Sequence, residues 1–183
     1  AEVVKQLGEM GYMGICIPEQ YGGAGLDALA SAIVVEELSY ADASVGVINS
    51  VQNSLVADPI MKYGTDEQKQ TWLPKMARGE CLNCFSLSEA GSGSDAGAMK
   101  CRATLEGDEW VINGTKLWVT NGAEADLILL FVRTEDGDRR NASALLVPKN
   151  TPGLTVGKHE DKLGIRGSST TELMFDNCRL PKT

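Results

Sequence analysis

The spacing of apolar residues in this chain changes once, near Gly79, and that change limits the folds open to it. Before Gly79 they recur at helical intervals. Val3, Val4 and Leu7 share one face, and Leu29, Ile33 and Val34 mark another within residues 26–40. Ser44 to Met61 is a further mostly apolar segment, broken near Pro59. Thr65-Asp-Glu-Gln68 has the form of a capping box, in which a hydroxyl and an amide satisfy free N–H groups. A helix is expected from there toward Trp72, with Pro74 opening a new short one.

After Gly79 the apolar runs are short and set between turns. Leu82 to Ser88 reads as a strand, and a Glu-Gly-Asp-Glu turn separates Ala98–Leu105 from Trp110–Ile112. Asn113-Gly114, whose residues tolerate positive φ, predicts a hairpin turn between Ile112 and Thr115–Thr120. Leu127–Arg133 and Ala144–Val147 flank a polar loop at Thr134–Asn141, and Thr155–Lys158 and Thr171–Phe175 are further strands. The predicted fold is α+β: an all-helical N-terminal domain over residues 1–80, then an antiparallel β-barrel or sandwich over 81–183. Strand–helix alternation is missing, which argues against a doubly wound dinucleotide fold.

Charge and cysteine content narrow the function classes. The net charge of −8 repels phosphodiester backbones, so a nucleic-acid partner is not expected. It does not exclude a phosphorylated ligand, because backbone N–H groups bind phosphate locally. An odd count of five cysteines, with no leader sequence in view, favours reduced thiols. Cys81 and Cys84 form a lone CxxC. A zinc site needs two more ligands, and His159 is the only histidine, so no metal is expected and the cysteines are read as core or strand residues. No apolar run reaches the roughly 18 residues of a membrane span. The chain opens inside an apparent helix, so Ala1 is not expected to be a natural start.

Two stretches carry chemistry. In Phe85-Ser-Leu-Ser-Glu-Ala-Gly-Ser-Gly-Ser-Asp95 a strand runs into a loop of small residues. Its glycines admit a ligand close to the backbone, and its hydroxyls and free N–H groups suit phosphate or the polar edge of a heteroaromatic ring. Most such loops are merely loops. The second stretch is Trp118-Val-Thr-Asn-Gly122. Trp118 offers a flat apolar face and Thr120 a hydroxyl on the same side of the strand, so the pair suits a flat, hydrogen-bonding ring. Read alone, a core Trp with an outward Thr accounts for it equally well.

Taken in order along the chain, Tyr21-Gly-Gly-Ala-Gly25, Glu36-Glu-Leu38, Gly64-Thr-Asp-Glu-Gln-Lys69, Ser88-Glu-Ala-Gly-Ser-Gly-Ser-Asp95, Asn113-Gly-Thr-Lys-Leu-Trp-Val-Thr-Asn-Gly122 and Gly164-Ile-Arg-Gly-Ser-Ser-Thr170 resemble the acyl-CoA dehydrogenase family. Asp161-Lys-Leu-Gly-Ile-Arg-Gly-Ser-Ser-Thr-Thr-Glu172 is most similar to the short-chain, butyryl-CoA type. The resemblance implies FAD as cofactor, with Phe85, Leu87 and Ser88 beside the isoalloxazine and Gly93 and Ser94 at the phosphate region. It implies that Ser94 also meets the acyl-CoA. Trp118 would pack on the flavin, with Val119 next to it, and Thr120 would bond near flavin N5. The family often has an aromatic hydroxyl at position 85 and Thr-Glu-Pro at 88–90. Here Phe85, Ser88 and Ala90 stand instead, so a contact from Phe85 is apolar or through its backbone.

The implied reaction is oxidation of a short-chain acyl-CoA to the trans-2-enoyl-CoA. A glutamate takes the α-proton, hydride passes to N5, and electrons leave to an electron-transfer flavoprotein. No acidic residue of this chain matches that base, which the resemblance puts on a C-terminal helical domain outside these residues. The 183 residues alone are therefore expected to be inactive. The family also implies a homotetramer, in the cytoplasm of a bacterium or the mitochondrial matrix of a eukaryote. A flavin monooxygenase or oxidase on the same fold, and a non-catalytic CoA- or flavin-binding paralogue, remain open alternatives. Gly164–Thr170 is read as structural support, and His159 as a surface residue.

Overall fold

The structure is a computed structural model that describes residues 2–134 and 142–182. The polar loop expected at 134–141 lies outside the described residues except for Thr134. The chain forms two compact units: Ala1–Cys84 with Asp161–Ser168, and Phe85–Glu160 with Ser169–Thr183.

The first unit is helical: α1 (Glu2–Glu9), α2 (Ala28–Ala41), α3 (Ala43–Ser50), α4 (Asp58–Tyr63) and α5 (Asp66–Ala77). Asp27 caps α2 by accepting the Ala30 N–H at 2.9 Å, and Asp42 caps α3 by accepting the Ser44 N–H at 2.7 Å. The capping box forms as expected: Thr65 Oγ1 accepts from Gln68 N at 3.2 Å, and Gln68 Oε1 accepts from Thr65 N at 3.0 Å.

Two local expectations fail here. Pro74 does not start a helix but sits inside α5, where burial of Leu73, Met76 and Ala77 outweighs the one missing N–H. The segment before Pro59 does not break. It continues as a π-helix over Val51–Ala57, and Pro59 falls in the first turn of α4, where its lack of an N–H is harmless. Helix α2 buries none of its residues, and Leu29 and Ile33 are exposed.

The core of this unit includes Met13, Ile15, Ile17, Val56, Ile60, Leu73 and Met76. Buried amides tie it together. Asn53 accepts the Ile15 N–H at 3.0 Å and donates to the Tyr12 carbonyl at 3.2 Å, and Gln52 donates to the carbonyls of Met76 and Cys81. Cys81 and Cys84 are buried, and burial pushes the Cys84 thiol far up, so it is inert as a nucleophile. Among the described residues no group of acidic, cysteine or histidine side chains is placed to hold a metal.

The second unit is a seven-stranded sheet: β1 (Asn83–Ser86), β2 (Arg102–Glu106), β3 (Glu109–Thr120), β4 (Leu127–Arg133), β5 (Ala142–Pro148), β6 (Leu154–His159) and β7 (Thr170–Pro181). Their order is β1-β4-β2-β3-β7-β6, with β5 also on β4. β2–β3, β3–β7, β4–β5 and β6–β7 pair antiparallel. β2 meets β4 in parallel at the single pair Arg102↔Arg133, so the sheet is mixed rather than purely antiparallel. Between Leu82 and Phe175 the only described helix is a short 3-10 turn, Ala96–Ala98.

Asn113-Gly114 is not a hairpin turn. β3 runs through it, and the register against β7 slips between Ile112 and Gly114. Gly114 adopts φ 143, and a Cβ there would lie 2.7–2.9 Å from Cys101. Asn113 Oδ1 accepts the Asn177 N–H at 2.8 Å. The residues that tolerate unusual φ serve a β-bulge instead, because β7 is available to pair along the whole of β3. The β2–β3 hairpin turns at Gly107, as the sequence predicts, with φ 63.

Candidate functional site

All eight predicted site residues fall in the second unit, on the end of β1, the loop after it, and the end of β3. Two backbone-level features bring these segments together. The Ser88 carbonyl accepts the Leu117 N–H at 2.8 Å, and the Leu87 carbonyl accepts from Lys116 Nζ at 2.9 Å. The Phe85 ring packs against Phe131 with centroids 5.0 Å apart, so this half-buried residue is anchored on the sheet.

The loop is short-wired. Glu89 and Ser92 exchange backbone hydrogen bonds at 2.8 and 3.1 Å, and Ser92 Oγ donates to the Asp95 carbonyl at 3.0 Å. Its far side is fixed by Arg133, whose Nη2 donates to the Gly97 carbonyl at 3.0 Å. Gly93 and Ser94 lie on the exposed outer part, and a Cβ placed on Gly93 would meet nothing within 4 Å.

The end of β3 departs from regular strand geometry. Lys116 pairs with Leu173 and Val119 with Thr171, so Leu117 and Trp118 together oppose one residue of β7. Trp118 takes φ 55, a left-handed conformation that a bulky residue adopts only under constraint. Without this bulge, alternation would put Trp118 on the side of Lys116, which is wholly buried. The bulge advances the phase, so Trp118 is 59 % exposed while Val119 is buried. Trp118 is therefore not a core residue of this chain. Thr120 is half-buried, and its hydroxyl has no hydrogen-bond partner among the described residues. Val119 can meet a ligand only through its backbone, since its side chain belongs to the core.

The strand is held beyond Thr120. Asn121, at φ 64, donates its N–H to the Ser169 carbonyl at 3.0 Å, and Ser169 Oγ bonds the Glu124 carboxylate. Ser168 and Ser169 are buried, but Asp161–Ser168 groups with the first unit rather than with the sheet, where support from Gly164–Thr170 was expected, and His159 is exposed on β6.

Sequence reading missed Glu89 and Lys116. Lys116 Nζ lies 2.8 Å from Glu89 Oε1, and the carboxylate also accepts the N–H groups of Lys100 at 2.6 Å and Cys101 at 3.0 Å. Burial would raise the Glu89 pKa. The Lys116 ammonium and the two backbone donors outweigh burial and hold it below the usual carboxylate range. No pattern in the sequence announces a buried lysine inside an apolar strand.

An exposed indole face on a constrained backbone, a free hydroxyl two residues on, and a glycine-serine loop open to solvent make up a donor set suited to a flat heteroaromatic ligand carrying phosphate.

The N-terminal domain of acyl-CoA dehydrogenases matches residues 1–80, and the middle domain of the same family matches residues 84–178. The mitochondrial short-chain specific acyl-CoA dehydrogenase of Homo sapiens is 54 % identical over 183 residues, which is 100 % of this chain and 44 % of that one. A chain from a study of the electron transferring flavoprotein of Acidaminococcus fermentans and flavin-based electron bifurcation superposes with TM-score 0.96 at 43 % identity, covering 99 % of this chain and 48 % of that one. A glutaryl-CoA dehydrogenase from Mycobacterium smegmatis in complex with FADH2 does so at 0.92 and 40 % identity, covering 99 % and 46 %. The chain thus spans less than half the length of these relatives.

Proposed function

The chain belongs to the acyl-CoA dehydrogenase family, and we propose on that basis that it supplies part of the flavin site of an enzyme oxidising a short-chain acyl-CoA to the trans-2-enoyl-CoA. The observation that carries the proposal is Trp118, exposed on a bulge and held at φ 55. An exposed tryptophan in a costly conformation gains nothing for folding, and such outliers gather at ligand sites. FADH2 in a 40 % identical structure supports FAD as the ligand. FAD, when bound, supplies the two-electron acceptor that no side chain offers.

In this reading each residue has a task. Trp118 provides stacking area, and Thr120 donates its hydroxyl to the polar edge of the ring. Phe85, Leu87, Ser88 and the Val119 backbone border the ring. Gly93 and Ser94 receive the phosphates, and Ser94 also meets the acyl-CoA. The residues fit the cofactor, since the hydroxyls and open glycine positions lie where a phosphate-bearing ligand can approach the backbone.

The short-chain preference rests on the 54 % identical relative, and the electron-transfer flavoprotein partner on the structural neighbour from that system. The proton-abstracting glutamate is assigned to a part of the protein beyond these 183 residues, and assembly to a homotetramer. The location follows the source: bacterial cytoplasm or mitochondrial matrix. Among the described residues no helix is long and apolar enough to cross a membrane.

The test is anaerobic bleaching of the flavin in the full-length protein against acyl-CoAs of graded chain length. Bleaching greatest with short chains is the expected result. Flavin that no acyl-CoA bleaches would refute the dehydrogenase reading, and rapid reoxidation by oxygen would favour an oxidase. The 183-residue chain by itself should show no acyl-CoA-dependent dye reduction.

A further inference from the structure

Among the described residues the largest fully buried side chain is a lysine. Lys116 is 0 % exposed and Glu89, its partner at 2.8 Å, is 8 % exposed. Taking two charges from water costs about as much as their attraction returns, so a buried pair of this kind is weak as a source of stability and is better explained by what it holds in place.

What it holds is specific. The Glu89 carboxylate accepts N–H groups from Lys100 and Cys101, which closes the loop 89–100 by joining its two ends. That loop carries Gly93 and Ser94. Lys116 binds the same carboxylate and the Leu87 carbonyl, which fixes the loop's first end to β3. It does so two residues before Trp118, and the bulge begins at the next residue. Two of these contacts, from Lys116 to the Glu89 carboxylate and the Leu87 carbonyl, tie the glycine-serine loop to the strand bearing the indole, and the other two close the loop on itself. An apolar pair of similar volume would fill the space but would fasten none of these ends.

We propose that Glu89 and Lys116 are positioning residues that set the glycine-serine loop against the bulged end of β3, so that the groups meeting the two ends of the cofactor are held at a fixed separation. This inference rests on the flavin reading above and adds residues that do not touch the cofactor. Leu117, whose N–H bonds the Ser88 carbonyl at 2.8 Å, reinforces the same junction through the backbone.

The test uses the full-length protein and replaces the pair by apolar residues, Glu89→Leu with Lys116→Met. The readouts are the melting temperature of the flavin-free protein, the FAD dissociation constant, and the visible absorption and circular dichroism of the bound flavin. The expected result is FAD retention weakened by about tenfold or more and an altered flavin spectrum, whatever the shift in flavin-free melting temperature. A role confined to stability predicts instead a lower melting temperature with unchanged affinity and spectrum, and that outcome overturns the proposal.

The single variant Glu89→Gln keeps an acceptor for only one of the two backbone N–H groups, which bond different carboxylate oxygens. It should lose less FAD affinity than the apolar pair, and an equal or larger loss would show that the closed loop is not what matters. It also decides the question if the double variant does not fold: weaker FAD retention supports the proposal, and wild-type retention overturns it. Wild-type protein that fails to retain FAD at all would sink the flavin reading itself. Variants that bind as well as a flavin-retaining wild type would sink only the positioning role.

Discussion

The backbone N–H of Leu117 lies 2.8 Å from the carbonyl oxygen of Ser88, joining the strand that carries the exposed indole to the loop that carries Gly93 and Ser94. Leu117 is the first of the two residues that share one partner on β7. The same bulge that turns Trp118 outward therefore also presents a backbone donor to the loop.

The first prediction follows from the conformation of Trp118. At φ 55 a residue with a Cβ is strained by about 1–2 kcal/mol, whereas glycine is not. The side chain is mostly exposed, so little packing is lost with it. Trp118→Gly should leave the flavin-free protein as stable as wild type or more so, while weakening FAD retention. Trp118→Phe keeps a ring and should retain more flavin than Trp118→Gly. Calorimetry with and without FAD measures both effects. A fall in flavin-free stability for Trp118→Gly, with unchanged flavin affinity, would make Trp118 a structural residue.

Thr120 gives a second contrast. Its hydroxyl has no partner among the described residues, so Thr120→Val should change flavin-free stability by no more than about 0.5 kcal/mol. With flavin bound in a mostly dry site, an unmet polar partner costs about 1–3 kcal/mol. That cost should be greatest where negative charge grows on reduced flavin, so the variant should show a lowered flavin potential. Spectroelectrochemical titration of the full-length variant reads this directly. A potential equal to wild type would remove Thr120 from the site.

Gly114 tests the corrected strand assignment. Any side chain there would press on Cys101 Cα and Cβ at 2.7 and 2.8 Å. Gly114→Ala should cost about 1–3 kcal/mol in stability. Shortening the neighbour by Cys101→Ala should not rescue it, because the atoms in conflict remain. Were position 114 in a two-residue hairpin turn, with open space around it, the second substitution would be irrelevant and the first milder. Urea denaturation of the three variants distinguishes these cases.

The fourth prediction concerns acid. The Glu89 pKa is held below that of an ordinary glutamate, so the folded state binds this proton less readily than the unfolded chain. Its contribution is therefore complete above the unfolded value of about 4.3 and is lost as the pH falls through the lower folded value. Glu89→Gln should be clearly destabilised near neutral pH, where it leaves Lys116 buried without its counter-charge, at a cost of about 3–5 kcal/mol. The gap to wild type should narrow as the pH is lowered from about 5 toward 3. Melting curves across that range check it, and a gap that stays constant would mean that the Glu89 charge is not linked to folding.

The switch of period near Gly79 was sufficient to place helices before it and strands after it, because burying one face of a helix or a sheet imposes its repeat on nearby residues. The capping box at Thr65 and the turn at Gly107 were equally legible, each being a contract among residues close in sequence. The two stretches of the candidate site could also be named, though only as separate pieces. Whether Trp118 points inward or outward was not written in β3 alone. It depends on a bulge set by the register with β7, more than 50 residues further on. The same partner strand turned Asn113-Gly114 from an apparent hairpin into an irregularity within one strand. Nothing in the sequence singled out Lys116, whose burial rests on the Glu89 carboxylate and the Leu87 carbonyl that meet it. Local sequence fixes local geometry because its hydrogen bonds close within a few residues. The exposure of an indole and the burial of a charge are decided by distant segments, whose pairing only the folded chain brings about.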